Sequence, residues 1–300
     1  MYREVARYVF LGFIQGITEV LPISSAGHLA LSDALFNLGT VSMNLALFLH
    51  LGTFLAILIY FAQDVRDLLA AFLRSWKILL FPRADQSRNP LRRRDTRVPW
   101  YLLCSTAVTG VIGYTFQEAV SATFRSQSWA ITLLLLLNGL LIIATSQRTM
   151  GHKTMAEIGL RDYLLIGLAQ GLAVFPGLSR LGLTLCMGLI RKMNWFEALK
   201  LSFLLSLPTI AGGVVLRAPT MRYTPATETW LGIALGIAAA TGGGLLAVRF
   251  LMNNVLERHS LVAFGVYCVL AGTFFTILFL TFPQARVQAE ALLNSLPGGI

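Results

Sequence analysis

Long apolar segments separated by short polar connections make up most of the chain. Several windows of about 20 residues contain no Asp, Glu, Lys or Arg, and that length lets an α-helix cross a hydrocarbon core of roughly 30 Å. Full transmembrane helices are expected near residues 43–63, 99–117, 128–146, 197–216, 229–248 and 261–282. The connections leave no room for a separate soluble domain, although residues 64–97 have room for a short amphipathic helix. The pattern therefore predicts one all-α integral membrane domain over residues 1–300.

Two further apolar segments are interrupted by a proline. Residues 8–38 break at Pro22 into arms of about 14 residues, each too short to span, which predicts a re-entrant helical hairpin. Residues 162–193 repeat the same order of a Gly-x-x-Gln-Gly sequence, a proline, a serine and a second arm that contains glycine. Gln15 and Gln170 are the matching anchors of these two predicted hairpins.

Each hairpin is followed by three predicted spans, so the chain divides into two repeats. Repeat one covers residues 1–150 and repeat two covers residues 155–300. A hairpin returns to the face from which it entered, whereas three spans end on the opposite face. The second hairpin must therefore enter from the other side, and the repeats are predicted to have inverted topology.

Composition and charge support the membrane class and set an orientation. Hydrophobic residues make up 56% of the chain and charged residues only 13%, unlike a soluble protein. The net charge of +10 comes from basic residues at span ends and in the loop 83–97, which favours anionic headgroups over nucleic acid as the partner. One side carries 17 Lys and Arg and the other six, so the positive-inside rule places both termini outside. The first hairpin then dips in from the outside and the second from the cytoplasm, so their tips can meet.

The cysteines do not indicate a disulfide framework or a zinc site. Cys104, Cys186 and Cys268 lie inside apolar segments and have no paired spacing. Gln15 and Glu19 interrupt the first apolar run, so a cleaved signal peptide is not expected either.

Two facing helix breaks predict a polar cavity that can bind an anion. Broken helices are tolerated at membrane depth only where their backbone groups meet protein or water. A half-helix starts after each proline, with Ser24 or Ser25 capping the first and Ser179 the second, so free N–H groups point into the cavity. Arg180 adds a cation whose planar fork suits phosphate oxygens. The alternative for Arg180 is an internal salt bridge with Glu19.

A nucleophile, a base and a carboxylate can converge in the first hairpin. Ser25 and His28 stand three residues apart on one helix face, and Gln15 and Glu19 stand four apart on the preceding arm. We expect Ser25 to attack, His28 to transfer the proton and Glu19 to orient the imidazole. The alternative is that Ser25 and His28 only satisfy backbone groups in a packed hairpin.

Two motifs resemble the signatures of the undecaprenyl-pyrophosphate phosphatases, the BacA/UppP bacitracin-resistance proteins, and the likeness covers nearly the whole chain. They are "QGITEVLPISSAGHL" at residues 15–29 and "PGLSRLGLT" at residues 176–184. The matching positions are Gln15, Glu19, Pro22, Ser24, Ser25, Gly27 and His28 in the first motif and Pro176, Gly177, Ser179, Arg180 and Thr184 in the second. Leu181 departs from the family, in which a serine is usual there. The missing hydroxyl would weaken phosphate binding, alter the substrate, or matter little if a backbone N–H binds the phosphate.

The resemblance implies a phosphatase of the bacterial plasma membrane. Members remove the terminal phosphate of undecaprenyl pyrophosphate on the outer face, which regenerates the lipid carrier for peptidoglycan and other cell-wall polymers. The residues implied to bind phosphate, with Gln15 in support, are Arg180, Ser179, Ser24, Thr184 and Gly177. No organic cofactor is expected. A divalent cation, Mg²⁺ or Ca²⁺, is implied, but Glu19 is the one carboxylate at this depth, so substrate phosphates would supply most of its ligands.

Other functions remain open at this point. Inverted repeats with discontinuous helices are also the architecture of alternating access, so a transporter or flippase of polyprenyl phosphate is an alternative, with Leu181 as its sequence support. A phosphatase for another isoprenoid or phospholipid pyrophosphate is a further one. The expected partners are a polyprenyl pyrophosphate and membrane lipids, without nucleic acid. The sequence leaves the oligomeric state undecided.

Overall fold

The computed structural model describes residues 2–36, 43–80, 95–124, 128–147, 151–217, 230–258 and 260–282. Over these residues the regular structure is helical, apart from an isolated bridge between Lys153 and Met193. The helices are α1 Tyr2–Val20, α2 Ser25–Phe36, α3 Met43–Tyr60, α4 Ala62–Leu80, α5 Val98–Phe124, α6 Ser128–Ser146, α7 Leu160–Gly171, α8 Arg180–Ile190, α9 Trp195–Arg217, α10 Trp230–Arg258 and α11 Val262–Thr281. The predicted all-α class is confirmed. Most of the basic loop 83–97 and the predicted end of the first hairpin at residues 37–38 lie outside the described residues.

Helices occupy all six places predicted for spans, namely α3, α5, α6, α9, α10 and α11. Among the described residues, three segments are long and apolar enough to cross a membrane: Trp195–Arg217, Trp230–Asn254 and Val262–Thr281. A fourth results if α3 and α4 are counted as one span with an 82° bend between them. The helix α4 begins directly after that bend and corresponds to the amphipathic helix expected within residues 64–97, with its apolar Leu69 and Leu73 exposed.

Both predicted hairpins contain the helix break that their prolines require. The first breaks over residues 21–24, between α1 and α2. The second breaks after the short 3-10 turn Leu172–Val174 and resumes as helix at Arg180. The first arm is longer than the expected 14 residues or so, because α1 already starts at Tyr2 and contains 19 residues. Its extra turns carry Glu4 and Arg7, and no proline or glycine there stops the helix.

The two halves of the chain pack closely against each other. The helix α1 packs on α10, α7 on α5, α6 on α11 and α3 on α9. The first helix of each predicted hairpin thus lies against the second predicted span of the other half. Glycines permit these approaches, as is usual between membrane helices. A Cβ at Gly139 would lie 2.6 Å from the carbonyl oxygen of Gly265, and one at Gly265 would lie 2.8 Å from that of Gly139. The α6–α11 contact is therefore a contact of backbones.

The largest apolar core cluster surrounds the second hairpin and α9. It includes Leu185 of α8, Leu199 and Leu205 of α9, and Val20 at the end of α1. Leu181, the residue that departs from the second motif, is 4% exposed and belongs to this same cluster. The core thus fixes α8, whose first turn carries Arg180, against the end of α1, which carries Glu19.

Candidate active site

The two helix breaks lie on either side of one amide side chain. Asn138 of α6 donates from Nδ2 to the carbonyl oxygen of Pro22 at 3.1 Å, and its Oδ1 accepts from the backbone N–H of Ser179 at 3.0 Å. Pro22 belongs to the first break and Ser179 to the second. One carboxamide therefore joins them, and residues from the two halves of the chain form a common site.

The Glu19 carboxylate is the centre of the hydrogen bonds in the first break. Ser25 Oγ donates to Glu19 Oε2 at 2.5 Å, Gln15 Nε2 donates to the same oxygen at 3.2 Å, and His50 Nε2 lies 3.7 Å from it. The Glu19 side chain is only 8% exposed. A distance of 2.5 Å is typical of a charge-assisted O–H···O⁻ bond. The serine hydroxyl and the carboxylate are thus already placed for a proton transfer between them.

Arg180 brings a positive charge from the second hairpin. It is the first residue of α8 and lies within electrostatic range of Glu19. The ion pairs within 4.0 Å among the described residues do not include a direct pair between the two, so the internal salt bridge considered as an alternative is not formed. Arg180 Nη1 is buried and has no hydrogen-bond partner among those residues. The guanidinium therefore retains an N–H group that can donate a hydrogen bond to a phosphate oxygen.

His28 is held away from the serine that it was expected to activate. Its Nδ1 donates to the carbonyl oxygen of Ser24 at 2.8 Å, which leaves Nε2 of the neutral ring to accept from Tyr267 Oη at 2.6 Å. The two rings stack with centroids 5.5 Å apart. The three-residue spacing does put Ser25 and His28 on one face, but Ser25 Oγ turns back to α1 while the imidazole turns to α11. Hydrogen bonds from His28 to Ser25 or Glu19 are not formed in this arrangement.

Ser24 has an unusual backbone and a free hydroxyl. Its φ of 69° lies in the left-handed region, a conformation that costs a non-glycine residue on the order of 1–2 kcal/mol and that is common at functional sites. Its Oγ is buried and, among the described residues, has no hydrogen-bond partner, so Ser24 does not cap α2. Ser25, the other candidate cap, uses its hydroxyl on Glu19. The strained turn thus leaves a hydroxyl at the start of α2 that a ligand can use.

The second break has the cap that the sequence predicts. Ser179 Oγ accepts from the backbone N–H of Gly182 at 3.1 Å and so caps α8. Gly177 has a φ of 105°, and a Cβ there would lie 2.5 Å from the carbonyl oxygen of Ile131, so the turn requires glycine. Thr184 differs from expectation, because its hydroxyl donates to the backbone oxygens of Arg180 and Leu181 at 2.9 and 3.1 Å. A hydroxyl that is bonded to its own helix is poorly placed to bind phosphate.

The two matching glutamines both have an unsatisfied oxygen. Gln15 donates to Glu19 and Gln170 donates to Thr209 Oγ1, yet the Oε1 of each glutamine is buried and without a partner among the described residues. Gln15 Oε1 and the Glu19 carboxylate are hard oxygen donors that fit Mg²⁺ or Ca²⁺. Over the described residues, no group of three or more His, Cys, Asp or Glu side chains could hold a metal ion. In the part of the chain that the structure describes, Gln15 and Glu19 thus offer two of the six or more ligands that such an ion takes.

Three residues of the site were missed from the sequence, Asn138, Tyr267 and His50. Asn138 is the one amide within the apolar run "LLLLLNGLLII", and a lone amide in such a run often bonds to another helix. His50 is a lone histidine in an apolar helix, a pattern that more often indicates a local polar contact than a site residue. Its Nδ1 does donate to the carbonyl oxygen of Ala46 at 2.8 Å, but its other nitrogen faces Glu19. No feature of the sequence indicates a role for Tyr267, because tyrosine is common near the ends of membrane-spanning helices.

Comparison with known proteins identifies the family of the chain. Residues 8–274 match the family model described as bacitracin resistance protein BacA, so both helix breaks lie inside the match. The chain is 33% identical over 276 residues to the undecaprenyl-diphosphatase of Halothermothrix orenii, which covers 92% of this chain and 98% of that protein. It is 35% identical over 265 residues to the undecaprenyl-diphosphatase of Geobacter metallireducens, with 87% and 93% covered, and 34% identical over 270 residues to that of Korarchaeum cryptofilum, with 90% and 97% covered.

Proposed function

We propose that this chain, which belongs to the bacitracin resistance protein BacA family, hydrolyses undecaprenyl diphosphate to undecaprenyl phosphate and inorganic phosphate. The observation that carries the proposal is the 2.5 Å hydrogen bond from Ser25 Oγ to Glu19, in a site where Arg180 Nη1 has no hydrogen-bond partner among the described residues. A nucleophile with its proton acceptor and a cation are the groups that phosphoryl transfer needs. The names of the relatives support undecaprenyl diphosphate as the substrate.

In the first step Ser25 Oγ attacks the terminal phosphorus. A bond forms between Oγ and phosphorus, and the bond from phosphorus to the bridging oxygen breaks, with its electron pair leaving on undecaprenyl phosphate. Glu19 accepts the hydroxyl proton and passes it to the leaving phosphate. In the second step water attacks the phosphoserine, Glu19 accepts a proton from that water, and the proton goes to Ser25 Oγ as inorganic phosphate leaves. The hydrogen bond to Glu19 supports this carboxylate as the base, in place of His28.

The remaining groups bind and orient the diphosphate. Arg180 Nη1 and Ser24 Oγ are buried donors without partners among the described residues, and both suit phosphate oxygens. The amide-rich start of α8 adds its positive dipole end. His28, bonded to Ser24 and Tyr267, then holds the turn that contains Ser24. Donors fixed in this way stabilise the charge of the transferring phosphoryl group without reorganising.

A divalent cation, Mg²⁺ or Ca²⁺, is part of the proposal. Glu19 and Gln15 Oε1 would hold it together with oxygens of the substrate. When bound, such an ion offsets negative charge on the diphosphate. The two protein ligands are too few for a site that binds the ion without substrate, so the affinity for the free ion is expected to be low.

The apolar helices and the family together make this a multi-pass membrane protein. We propose in addition six spans and two re-entrant hairpins, arranged as inverted repeats with both termini outside the bacterial plasma membrane. Helices at all six expected places support this topology. So does the packing, in which each hairpin lies against the second span of the other half. The site then opens outward, where recycling of the lipid carrier supports cell-wall synthesis and bacitracin resistance.

The test is phosphate release from undecaprenyl diphosphate by the purified protein in lipid nanodiscs. Ser25→Ala and Arg180→Lys are expected to lower kcat by about 100-fold or more, because each removes a group that acts in the transition state. Ser32→Ala is the matched control, since Ser32 is buried in α2 and donates to its own helix, at the carbonyl oxygen of His28. Farnesyl diphosphate and a diacylglycerol pyrophosphate, supplied in parallel, test other lipids. Wild-type protein that releases phosphate from none of them would refute the proposal.

A further inference from the structure

We propose that Asn138 is a positioning residue that sets the distance between the nucleophile and the phosphate-binding arginine. This inference rests on the proposed function, because it concerns the same site. Asn138 is 1% exposed, lies on α6 outside both hairpins, and bonds to one backbone group of each helix break. It contacts neither Ser25 nor Arg180 through a hydrogen bond, so its effect on the reaction is exerted through the backbone.

The carboxamide meets two needs that the helix breaks create. The carbonyl oxygen of Pro22 and the N–H of Ser179 are backbone groups at interrupted helices, and burying either one unpaired would cost about 1–3 kcal/mol. An uncharged amide offers one acceptor and one donor side by side, so one side chain satisfies both. Cys268 Sγ, from α11, lies 3.7 Å from the same Pro22 oxygen and 3.5 Å from Asn138 Nδ2. The first break is thus held from both third spans.

Two neighbouring glycines leave the space that the Asn138 carboxamide occupies. Gly139 follows it directly and brings α6 into backbone contact with α11 at Gly265. Gly182, in the first turn of α8, lies on the other side, where an added Cβ would be 3.2 Å from Asn138 Oδ1. A side chain at Gly182 would therefore press on the acceptor that receives the N–H of Ser179. The structure fits closely around this one amide.

The bonds of Asn138 differ from those of an asparagine that merely fits into a helix. Asn254 of α10, for comparison, donates to the carbonyl oxygen of Phe250 in its own helix. The Asn138 bonds run instead to Pro22 and Ser179, which lie 116 and 41 residues away in sequence. A side chain that links two distant segments fixes their separation, whereas one bonded to its own helix does not.

The two hydrogen bonds of Asn138 lie close in sequence to the groups that are proposed to react. Ser25 follows Pro22 by three residues and Arg180 follows Ser179 by one. A shift of either break therefore moves the nucleophile relative to the cation that holds the phosphate. Misplacement of reacting groups by about 1 Å can lower a rate by about 100-fold. Loss of the amide should thus reduce kcat far more than it weakens binding of the substrate.

The experiment compares Asn138→Leu, Asn138→Asp and the control Asn254→Leu in nanodiscs. Asn138→Leu is expected to lower kcat by about 100-fold, with KM changed by less than about threefold. Asn138→Asp should be impaired at about pH 8 and recover relative to wild type towards about pH 5.5, because a protonated carboxyl again offers one acceptor and one donor. The leucine variant should show no such recovery. If Asn138→Leu fails to fold, the pH series of the aspartate variant decides.

Hydrogen exchange, read by mass spectrometry, separates this inference from the proposed function. Faster exchange in peptides that cover Ser24 to Gly27 and Leu178 to Gly182 is expected in Asn138→Leu and not in Asn254→Leu, whether or not the protein hydrolyses the lipid. Unchanged exchange in both peptides would overturn the inference, as would wild-type kcat in Asn138→Leu. Wild-type protein without hydrolysis, but with the expected exchange, would overturn the proposed function alone.

Discussion

The hydrogen bond between Ser25 and Glu19 makes a prediction that can identify the proton acceptor. The change is Glu19→Gln, which keeps the shape of the side chain but cannot take up a proton. The 2.5 Å distance belongs to a short bond to a charged acceptor. Removing a general base typically lowers a rate by about 10²–10⁴-fold, which corresponds to about 3–5 kcal/mol in the activation free energy. We expect kcat of Glu19→Gln to fall within this range.

The assay is a double-mutant cycle on kcat for phosphate release from undecaprenyl diphosphate. If Ser25 is the nucleophile, as proposed, then once Ser25→Ala has removed it, removing its proton acceptor should cause little further loss. The double variant Glu19→Gln/Ser25→Ala should therefore be about as active as the worse single variant, as for other catalytic residues that act as a unit. A second cycle combines His28→Gln with Ser25→Ala. Since His28 bonds to Ser24 and Tyr267 instead, its effect should multiply with that of Ser25.

The opposite pattern would refute this reasoning. If the effects of Glu19 and Ser25 multiply while those of His28 and Ser25 do not, then His28 is the base, as the residue spacing first suggested. The short bond to Glu19 would in that case belong to a resting state that rearranges when substrate binds. Glu4→Gln is the control for loss of a carboxylate, because Glu4 is exposed on the first turn of α1.

Three further predictions test the packing around the site. Leu181→Ser should destabilise the protein by about 2–5 kcal/mol, because it removes a buried leucine from the core. A lower melting temperature of the variant would support this prediction. Faster phosphate release would contradict it and place residue 181 in the site. Tyr267→Phe removes the donor to His28 Nε2 while keeping the stacked ring. Loss of this hydrogen bond should cost about 1 kcal/mol, which lowers the rate of phosphate release roughly fivefold. An unchanged rate would contradict the prediction. Gly16→Leu should prevent the approach of α1 to α10, since an added Cβ would overlap the carbonyl oxygen of Ala240; monodisperse, fully active protein would argue against this contact.

Sequence reasoning predicted those features of the fold that have a local cause. Proline removes a backbone donor and disfavours a helix interior, so the breaks near Pro22 and Pro176 could be placed in advance, although α9 continues through Pro208. The length of the apolar segments likewise predicted where six of the helices lie, and α6 has the bounds expected for it. The 82° bend between α3 and α4 could not be placed, because the residue at the bend is Phe61 rather than proline or glycine. Phe61 packs into the main core beside Phe203, so a distant contact accompanies this bend.

The same distinction applies to the site. The motifs brought out Ser25, Glu19 and Arg180, but their spacing could not tell which side chain faces which. Three residues on a helix place two side chains on one face without fixing their rotamers, and Ser25 turns to α1 while His28 turns to α11. Tyr267 is 239 residues from His28, and a contact of that range depends on how the helices pack. Such partners require the folded chain.

The two hairpins match in sequence, yet they contribute different chemistry. Gln15 and Gln170 hold corresponding places, but four residues later the first hairpin has Glu19 and the second has Val174. Val174 is buried and apolar, so the second hairpin has no base at that place, and Arg180 gives it a cation instead. A direct ion pair between such a carboxylate and this cation would occupy hydrogen-bond donors and acceptors that the proposed substrate needs. Glu19 and Arg180 lie on opposite predicted hairpins without a direct ion pair between them. The proposed reaction therefore requires the two helix breaks to keep the separation at which a phosphate fits between these charges.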